Sequence, residues 1–166
     1  MVTTTMKRAI IIYGPSGAGK STLAGKISGE YGYKHCDADA FKLMFSPTRS
    51  RERSEIGEKI CFHYTKEMID RGYDIIIEAM PEKMLSSLKR SLKQKKYKII
   101  ELSLIASLHR CIKNDAMRTK KHHGEKVITE VYERLVYRRG HVIDVDNKTP
   151  AQVFRSIKKS GILGRV

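Results

Sequence analysis

The sequence predicts an α/β fold in which about five parallel strands form a sheet covered by helices on both faces. Short apolar runs rich in β-branched residues recur along the chain and end at turn residues, as expected of strands buried on both faces. Segments with apolar residues at helical spacing lie between these runs, and such alternation is typical of a parallel sheet between helices. The length of 166 residues suits one hydrophobic core, so we expect one domain over residues 1–166.

The chain begins with a predicted strand, a glycine-containing loop and a helix. Residues 9–13 form an apolar, β-branched run that ends at Gly14. From Ser21 onward, apolar residues recur at helical spacing until Gly29 and Gly32 break the pattern. We therefore expect the first strand to lead through a tight loop into the first helix.

The middle of the chain predicts two further strands. Residues 33–36 form a weak apolar segment that we interpret as the second strand. The mixed charge of the hydrophilic segment 46–54 favours a mobile surface loop, although its three arginines leave a contact with substrate open. The helical segment 56–71 ends at a glycine, and the apolar run 73–78 after it predicts a third buried strand.

The last part of the chain continues the alternation. Residues 84–95 have helical periodicity with a basic outer face, and residues 97–104 predict the fourth strand. We predict two helices over residues 108–118 and 127–138. The last strand follows over residues 141–145, and a final helix starts at residue 150. Thr149 suits the cap of that final helix, because its hydroxyl can accept from a free N–H, and Pro150 suits the first helical position.

The composition indicates which classes of partner and which cellular compartment to expect. With 33 Lys plus Arg against 18 Asp plus Glu, the net charge of +15 favours phosphate-rich partners, nucleic acid among them. A solvated basic surface without a nucleic-acid role is equally compatible with it. Three widely spaced cysteines, Cys36, Cys61 and Cys111, argue against a disulfide framework and a structural zinc site. We expect a cytoplasmic protein without a signal peptide or membrane partner.

The segment from Gly14 to Ser21 matches the phosphate-binding loop pattern G-x-x-x-x-G-K-[ST] at every fixed position, between a strand and a helix. Its glycines let backbone N–H groups converge on phosphate oxygens, and the following helix adds the positive end of its dipole. Lys20 is placed to reach the β- and γ-phosphates, and the Ser21 hydroxyl to ligate Mg²⁺. We therefore predict an ATP site over residues 14–22, formed by Gly14, Pro15, Ser16, Gly17, Ala18, Gly19, Lys20, Ser21 and Thr22.

Charged residues that follow the other strands and helices are candidates for the chemistry. Asp37 and Asp39 follow the second strand, at the edge where open α/β sheets bind ligands. One could take the proton of an attacking hydroxyl and the other could cap a helix; we favour Asp39 as catalytic and Asp37 as structural. Glu78 ends the third strand, where it could meet Mg²⁺ through water, hold an acceptor hydroxyl or be solvated. Arg118 could fold over the triphosphate or belong to a solvated basic face.

With these motifs the chain resembles the small P-loop kinases, which include the zeta-toxin kinases, chloramphenicol phosphotransferase and the kinase domain of phage-type polynucleotide kinase. Asp39-Ala40-Phe41-Lys42 resembles the family segment in which the Asp activates the acceptor hydroxyl. Residues 71–78 are similar to the zeta-toxin kinase strand whose final Glu lies in the substrate site. The resemblance implies a three-layer P-loop kinase fold with a small lid, and an acceptor site at Asp37, Asp39, Lys42 and Glu78.

The same resemblance extends to the lid and the base of the nucleotide. The segment from Lys113-Asn114 to Arg118 resembles the lid segment whose Arg engages phosphates, which implies a lid over residues 118–126. Residues 141–150 resemble the closing strand and turn near which adenine sits, which adds Asn147 to the nucleotide site. The chain departs from the family at the second lid arginine, for which Lys120, Lys121 and Arg134 are the candidate replacements, and after Glu78, where Ala79-Met80 stand for Gly or Thr.

Together these features predict an ATP- and Mg²⁺-dependent phosphotransferase that moves the γ-phosphoryl group to a hydroxyl acceptor. Lys20, Asp39 and Arg118 are the predicted catalytic residues. The net charge favours a nucleotide-containing molecule or a nucleic-acid 5′-hydroxyl as acceptor, whereas the zeta-like strand favours a nucleotide sugar or another small molecule. The low aromatic content, 7%, weighs against a single-strand binder. The alternative is a P-loop ATPase switch or accessory nucleotide-binding protein without acceptor phosphorylation.

Overall fold

The computed structural model describes residues 6–119, 122–134 and 138–163, without the side chains of residues 133 and 134. The chain divides into two compact units. The first unit comprises the described residues up to Ile11 together with Ser28–Ile100. The second comprises Ile12–Ile27 together with the described residues from Glu101 onward.

Strands and helices alternate along the chain as predicted. The described residues contain β1 (Arg8–Tyr13), α1 (Lys20–Tyr31), β2 (Lys34–Asp37), α2 (Ala38–Phe45), α3 (Arg51–Asp70), β3 (Ile75–Glu78), α4 (Glu82–Gln94), β4 (Lys98–Ile105), α5 (Leu108–Ala116), α6 (Glu125–Arg134), β5 (His141–Asp144) and α7 (Pro150–Lys159). The strands form one parallel sheet in the order β2-β3-β1-β4-β5. The predicted α/β class with a five-stranded parallel sheet is confirmed.

The pairing of β2 with β3 brings two acidic residues side by side. The two strands run parallel with Lys34 opposite Ile75, and this register places Asp37 opposite Glu78. Both carboxylates therefore lie at the carboxyl ends of their strands, the edge at which open α/β sheets bind ligands. Strands β4 and β5 pair in the same sense, with Leu102 opposite His141.

The core of the first unit is built from β-branched strand residues and leucines of α4. The three isoleucines of β3 are fully buried, and α4 turns Leu85, Leu88 and Leu92 to the same interior. Burial of each such side chain contributes about 1.5–3 kcal/mol. Tyr97 adds a polar contact, because its buried hydroxyl has the carbonyl oxygens of Ile69 and Tyr73 within hydrogen-bond distance, at 3.2 and 2.9 Å.

Helix α4 ends in a backbone motif that usually carries glycine. The N–H of Tyr97 donates to the carbonyl of Leu92 at 2.9 Å, and the N–H of Lys96 donates to the carbonyl of Lys93 at 3.0 Å. These two bonds form a Schellman motif, in which the residue at the Lys96 position adopts the left-handed conformation. Lys96 has a φ of 58°, and a side chain in this region costs about 1–2 kcal/mol relative to glycine.

The core of the second unit lies between α1, α7 and the strands it contains. Helix α1 buries Leu23, Ala24 and Ile27, and α7 buries Val153 and Ile157. The Thr149 hydroxyl accepts from the N–H of Gln152 at 3.2 Å, and the Gln152 side chain accepts from the N–H of Thr149 at 2.8 Å. This capping box, followed by Pro150, confirms the predicted start of the last helix.

Element boundaries differ from the prediction where a local signal was overridden. Helix α1 continues through Gly29 and ends at Tyr31, because its buried apolar stripe outweighs the low helix propensity of its two glycines, Gly25 and Gly29. Helix α3 begins at Arg51, where the Ser50 side chain caps it by accepting from the N–H of Arg53 at 3.0 Å, so only the first part of segment 46–54 is a loop. Among the described residues, no helix has the length and apolar character needed to cross a membrane.

Candidate active site

The phosphate loop follows β1 in the second unit and is shaped by its glycines. Gly17 has a φ of 88°, and a Cβ atom there would lie 2.5 Å from the carbonyl oxygen of Cys111. Gly19 has a φ of 91° and no atom within 4 Å of a Cβ position, so the space beside it is open. The loop therefore packs closely against α5 at Gly17 and leaves room for a ligand at Gly19.

Lys20 begins α1 and folds back over the loop. Its Nζ atom donates to the carbonyl oxygens of Gly14 and Pro15 at 2.9 and 3.0 Å. Ser21 and Thr22 lie exposed in the first turn of the same helix, next to backbone N–H groups that have no intrahelical acceptor. Backbone donors, a helix N-terminus and an ammonium group thus converge at one place, which is the arrangement that binds phosphate.

A cavity of about 380 Å³ opens beside the loop, entirely within the second unit. Apolar side chains line part of it, including Leu104, Met117, Val145 and Val153. Arg110, Asn114 and Arg118 supply polar groups, and the Asn114 amide donates to the carbonyl of Gly17 at 2.8 Å. Asn147, which the sequence places at the nucleotide, lies exposed in the turn after β5 and outside the lining of this cavity. Arg110 is a lining residue that sequence reasoning missed.

Arg118 lies just beyond α5, at the start of the predicted lid. Its Nη1 atom lies 3.5 Å from the Ser16 hydroxyl and 3.6 Å from Oδ1 of Asp115. Asp115 is buried and accepts from the N–H groups of His123 and Gly124, both at 2.9 Å. Asp115 therefore holds both Arg118 and the chain that leads into α6, a role that no sequence pattern indicates.

Part of the predicted lid is not described. Lys120 and Lys121, two candidates for the second lid arginine, lie outside the described residues, as does the side chain of the third candidate, Arg134. The His122 Nε2 atom lies 3.6 Å from Oδ2 of Asp115. The Asp115 carboxylate is therefore close enough to form an ion pair with a protonated His122 ring.

In the first unit, three side chains meet at the carboxyl ends of β2 and β3. His35, Asp37 and Glu78 each place a ligand atom within 4.8 Å of the other two. The His35 Nε2 atom lies 3.0 Å from Oε1 of the buried Glu78. Asp37 caps α2 by accepting from the N–H of Asp39 at 2.9 Å. We name His35, Asp37 and Glu78 the acidic cluster; its histidine was missed because a single His in a weak strand carries no pattern.

Asp39 and Lys42 lie one turn apart on α2, beside α3. Lys42 Nζ lies 3.3 Å from Oδ1 of Asp39 and 2.9 Å from Oε1 of Glu58. Burial lowers the pKa of Lys42, but the hydrogen bond to Glu58 and the charges of Asp39 and Glu58 outweigh it, so the pKa is raised. Gly57 permits this contact, because a Cβ there would lie 2.6 Å from the backbone N and Cα of Lys42.

The donor sets fit the ligands that the sequence predicts. Oxygen atoms are the ligands that Mg²⁺ prefers, and they are available from the exposed Ser21 hydroxyl and from the carboxylates of Asp37 and Glu78. The open space at Gly19 and the positive first turn of α1 fit a polyphosphate chain. The side chain of Asp39 is 44% exposed, so an acceptor molecule can reach it.

Several solved structures with similar folds are described as kinases. No protein-family model matches the sequence, and no curated protein matches it. A sugar kinase from Janibacter sp. HTCC2649 is similar with a TM-score of 0.65 at 20% identity, over 94% of this chain and 95% of that one. A gluconokinase from Sinorhizobium meliloti 1021 is similar with a TM-score of 0.66 at 18% identity, over 95% and 93%. A chain of the Pnkp1/Rnl/Hen1 RNA repair complex has a TM-score of 0.64 at 20% identity, over 81% of this chain and 45% of that one.

The chain has the fold of the small P-loop kinases. The fold predicted from the phosphate loop and from the alternation of strands and helices is thereby confirmed. At sequence identities of 20% and below, the similarity shows a shared fold and nothing more. In this P-loop kinase fold, the phosphate loop and its cavity belong to the second unit, and the acidic cluster with Asp39 and Lys42 belongs to the first.

Proposed function

We propose that this chain is an ATP- and Mg²⁺-dependent phosphotransferase that moves the γ-phosphoryl group of ATP to a hydroxyl acceptor. The phosphate loop carries the proposal, because it combines a complete sequence pattern with an open backbone cradle at Gly19 and a lysine at the helix start. The three buried free cysteines support a reducing compartment, and we place the protein in the cytoplasm as a single working domain with a lid over residues 118–126.

On the donor side, the chain binds and neutralises phosphate. The amides of the loop and the first turn of α1 hold the β- and γ-phosphates, and Lys20 exchanges its loop carbonyls for phosphate oxygens. Ser21 is the protein ligand of Mg²⁺, which when bound offsets the charge that develops on the phosphates. Arg118, held by Asp115, reaches the same phosphates from the lid. The cavity lined by Leu104, Val145 and Arg110 takes the base.

On the acceptor side, α2 presents the base together with the lysine that orients it. Asp39 accepts the proton of the acceptor hydroxyl as that oxygen bonds to the γ-phosphorus of ATP, while the bond from this phosphorus to the β,γ-bridging oxygen breaks and ADP leaves. Lys42, whose Nζ lies 3.3 Å from Oδ1 of Asp39, orients this carboxylate and is itself held by Glu58. Glu78, oriented by His35, accepts a hydrogen bond from a second acceptor hydroxyl, and Asp37 fixes the start of α2. Catalysis is then positioning together with electrostatic stabilisation.

The acceptor that we propose is a nucleotide-containing small molecule or the 5′-hydroxyl of a nucleic acid. The net charge of +15 supports an anionic acceptor. Similar structures carry the names of a gluconokinase and of an RNA repair complex, which leaves both small and polymeric acceptors to be tested.

The test is a transfer assay with γ-labelled ATP, Mg²⁺ and separate pools of 5′-hydroxyl oligonucleotides, nucleotide sugars and small alcohols. We expect labelled product in one pool, with Lys20→Ala and Asp39→Asn each lowering the rate by about 10²–10³-fold, because each removes a group that acts in the transition state. Lys26→Ala, at an exposed site on α1, is the matched control and should retain the rate.

Two outcomes would overturn the proposal. One is release of inorganic phosphate alone in every pool, which is the behaviour of an ATPase switch. The other is full transfer by both Lys20→Ala and Asp39→Asn on an identified acceptor, since the phosphate loop and the base would then have no part in the reaction.

A further inference from the structure

The segment Lys83–Lys98 is the most basic part of the described chain that the proposed function leaves unused. It contains seven lysines and arginines and no acidic residue. It forms most of α4, the turn after that helix and the first residue of β4. Because like charges repel, such a concentration of cations is unfavourable unless solvent or an anionic partner screens it.

The structure exposes most of these cations to solvent. Helix α4 buries its leucines, and the opposite face exposes Lys83, Arg90 and Lys93. Lys96 and Lys98 are exposed just beyond the helix, and the backbone of Lys98 donates to that of the exposed Lys7 at 2.8 Å. We name these six residues the α4 basic surface: Lys7, Lys83, Arg90, Lys93, Lys96 and Lys98.

These six cations have no carboxylate within ion-pair distance in the part of the chain that the structure describes, unlike their neighbour Lys95, which lies 3.2 Å from Asp70. The left-handed backbone of Lys96 is a second observation. A lysine occupies the position where glycine would be unstrained, so its side chain is retained at the expense of stability. An uncompensated row of cations and a strained lysine within it both point to an anionic partner.

We propose that the α4 basic surface binds the phosphate backbone of a nucleic acid. The 13 residues of α4 extend over roughly 20 Å, which is the length of about six base-pair steps of a duplex at about 3.4 Å of helix axis each. A membrane fits less well, because binding of an amphipathic helix to a bilayer uses its apolar face, and the α4 leucines are buried in the core.

This surface is separate from the acidic cluster and does not rest on the proposed function. Lys98 begins β4, whereas Asp37 and Glu78 end β2 and β3. In a parallel sheet the two kinds of strand end lie at opposite edges, so nucleic acid held on the α4 basic surface leaves the acidic cluster open. The surface therefore anchors the protein to nucleic acid whether or not a nucleic-acid end is the phosphate acceptor.

The experiment measures the anisotropy of labelled 20-nucleotide DNA and RNA, single-stranded and duplex, between about 50 and 200 mM salt. For the wild type we expect log Kd to rise linearly with log salt. Arg90→Gln/Lys93→Gln should raise Kd about tenfold or more and lower the salt slope by about 1.4–1.8, since each lost phosphate contact removes about 0.7–0.9. Arg155→Gln/Lys159→Gln, which removes two exposed cations from α7, is the matched control and should change Kd by less than about twofold.

Lys96→Gly gives a test with effects of opposite sign. It should raise Tm by about 2–4 °C, because the left-handed strain is relieved, and weaken nucleic-acid binding by about threefold. Lys20→Ala should keep the wild-type Kd for nucleic acid, so failure of the proposed phosphotransfer and failure of this surface are distinguishable.

Three results would overturn the proposal. The first is no binding by the wild type at 50 mM salt. The second is equal weakening by the α4 and α7 double variants, which would show that only net charge matters. The third is equally tight, equally α4-dependent binding to vesicles of anionic lipid or to polyglutamate, which would show that the phosphate backbone is not what the surface recognises.

Discussion

The phosphate loop and the acidic cluster are built in opposite ways. The loop uses consecutive residues, and its binding groups are mainly backbone amides shaped by glycines such as Gly17 and Gly19. The acidic cluster uses side chains, and His35 and Glu78, which touch at 3.0 Å, lie 43 residues apart in sequence. A site formed by backbone amides depends on glycines, which have no side chain to block them. A site formed by side chains depends on how the helices and strands that carry them pack.

The packing of α2 against α3 is what holds the side-chain site together. Lys42 on α2 is fixed from α3 by the Glu58 carboxylate, by the close approach of Gly57 and by Arg53, whose Nε donates to the Lys42 carbonyl at 3.2 Å. Asp39 is in turn paired with Lys42. We therefore expect substitutions in the loop to weaken the binding of ATP. Substitutions at this helix contact should instead weaken the binding of the acceptor.

The largest effect that we expect is that of Gly17→Ala in the loop. Its Cβ would lie 2.5 Å from the Cys111 carbonyl oxygen and 2.8 Å from the Cys111 Cα, so α5 must move. We expect the free energy of unfolding to fall by about 3 kcal/mol. ATP binding should weaken at least about tenfold, because the amides of the loop no longer converge. Urea denaturation and calorimetric titration with ATP and Mg²⁺ measure the two effects.

Gly19→Ala is the matched variant for that experiment. Gly19 has a similar φ but open space around it, so the cost is backbone strain alone, about 1–2 kcal/mol. Equal losses in the two variants would show that contact with Cys111 does not shape the loop.

Gly57→Ala tests the helix contact in the same way. Alanine is intrinsically better than glycine in a helix by about 1 kcal/mol, but its Cβ would lie 2.6 Å from the Lys42 backbone. We expect a net loss of about 2 kcal/mol in the free energy of unfolding, with a raised KM for the acceptor and an unchanged Kd for ATP. Thermal denaturation and steady-state kinetics measure these quantities.

Gly25→Ala is its control, because Gly25 lies on α1 with nothing within 4 Å of a Cβ position. That variant should gain about 0.5–1 kcal/mol of stability. A gain at position 57 as well would mean that α2 and α3 are not in close contact there.

The contrast between the two regions also explains what the sequence could predict. The loop pattern over residues 14–22 and the strands that surround it are local signals, and the fold that they predict is confirmed. Asp37 and Glu78 could be selected because both end predicted strands, and parallel pairing then brought them together. His35, Glu58 and Gly57 could not be selected, because their roles arise only from the packing of β2, α2 and α3.

Helix limits failed for a related reason. The pattern of segment 46–54 is polar and charged, so its second half gave no apolar stripe to indicate a helix. The Ser50 cap and the pair formed by Arg51 Nε and Glu55 Oε1 at 2.8 Å extend α3 into that segment. Caps and i,i+4 ion pairs stabilise the start of a helix without burying apolar side chains. A prediction based on the spacing of apolar residues therefore does not detect them.

The smallest effects that we expect come from the cysteines, which lie in both regions. Burial raises the pKa of Cys36 to about 11, of Cys61 to about 12 and of Cys111 to about 11, against an ordinary value of 9.0. Between pH 9 and these values the unfolded chain releases thiol protons that the folded chain retains, so the free energy of unfolding falls as pH rises. By pH 9.5 the loss is about 1 kcal/mol per thiol.

Denaturation with urea between pH 7.5 and 9.5 measures this slope, in a range below the ionisation of Lys42, whose pKa is raised above 10.5. Cys111→Ala, beside the loop, and Cys36→Ala, beside the acidic cluster, should each lower the slope by about a third, because each removes one of three similar thiols. The absolute stability of each variant will also fall, since a cavity is left, but the slope isolates ionisation from packing. A slope that is unchanged in both variants would show that the thiols do not link stability to pH. It would also mean that water reaches Cys36 and Cys111 more readily than their burial in the structure indicates.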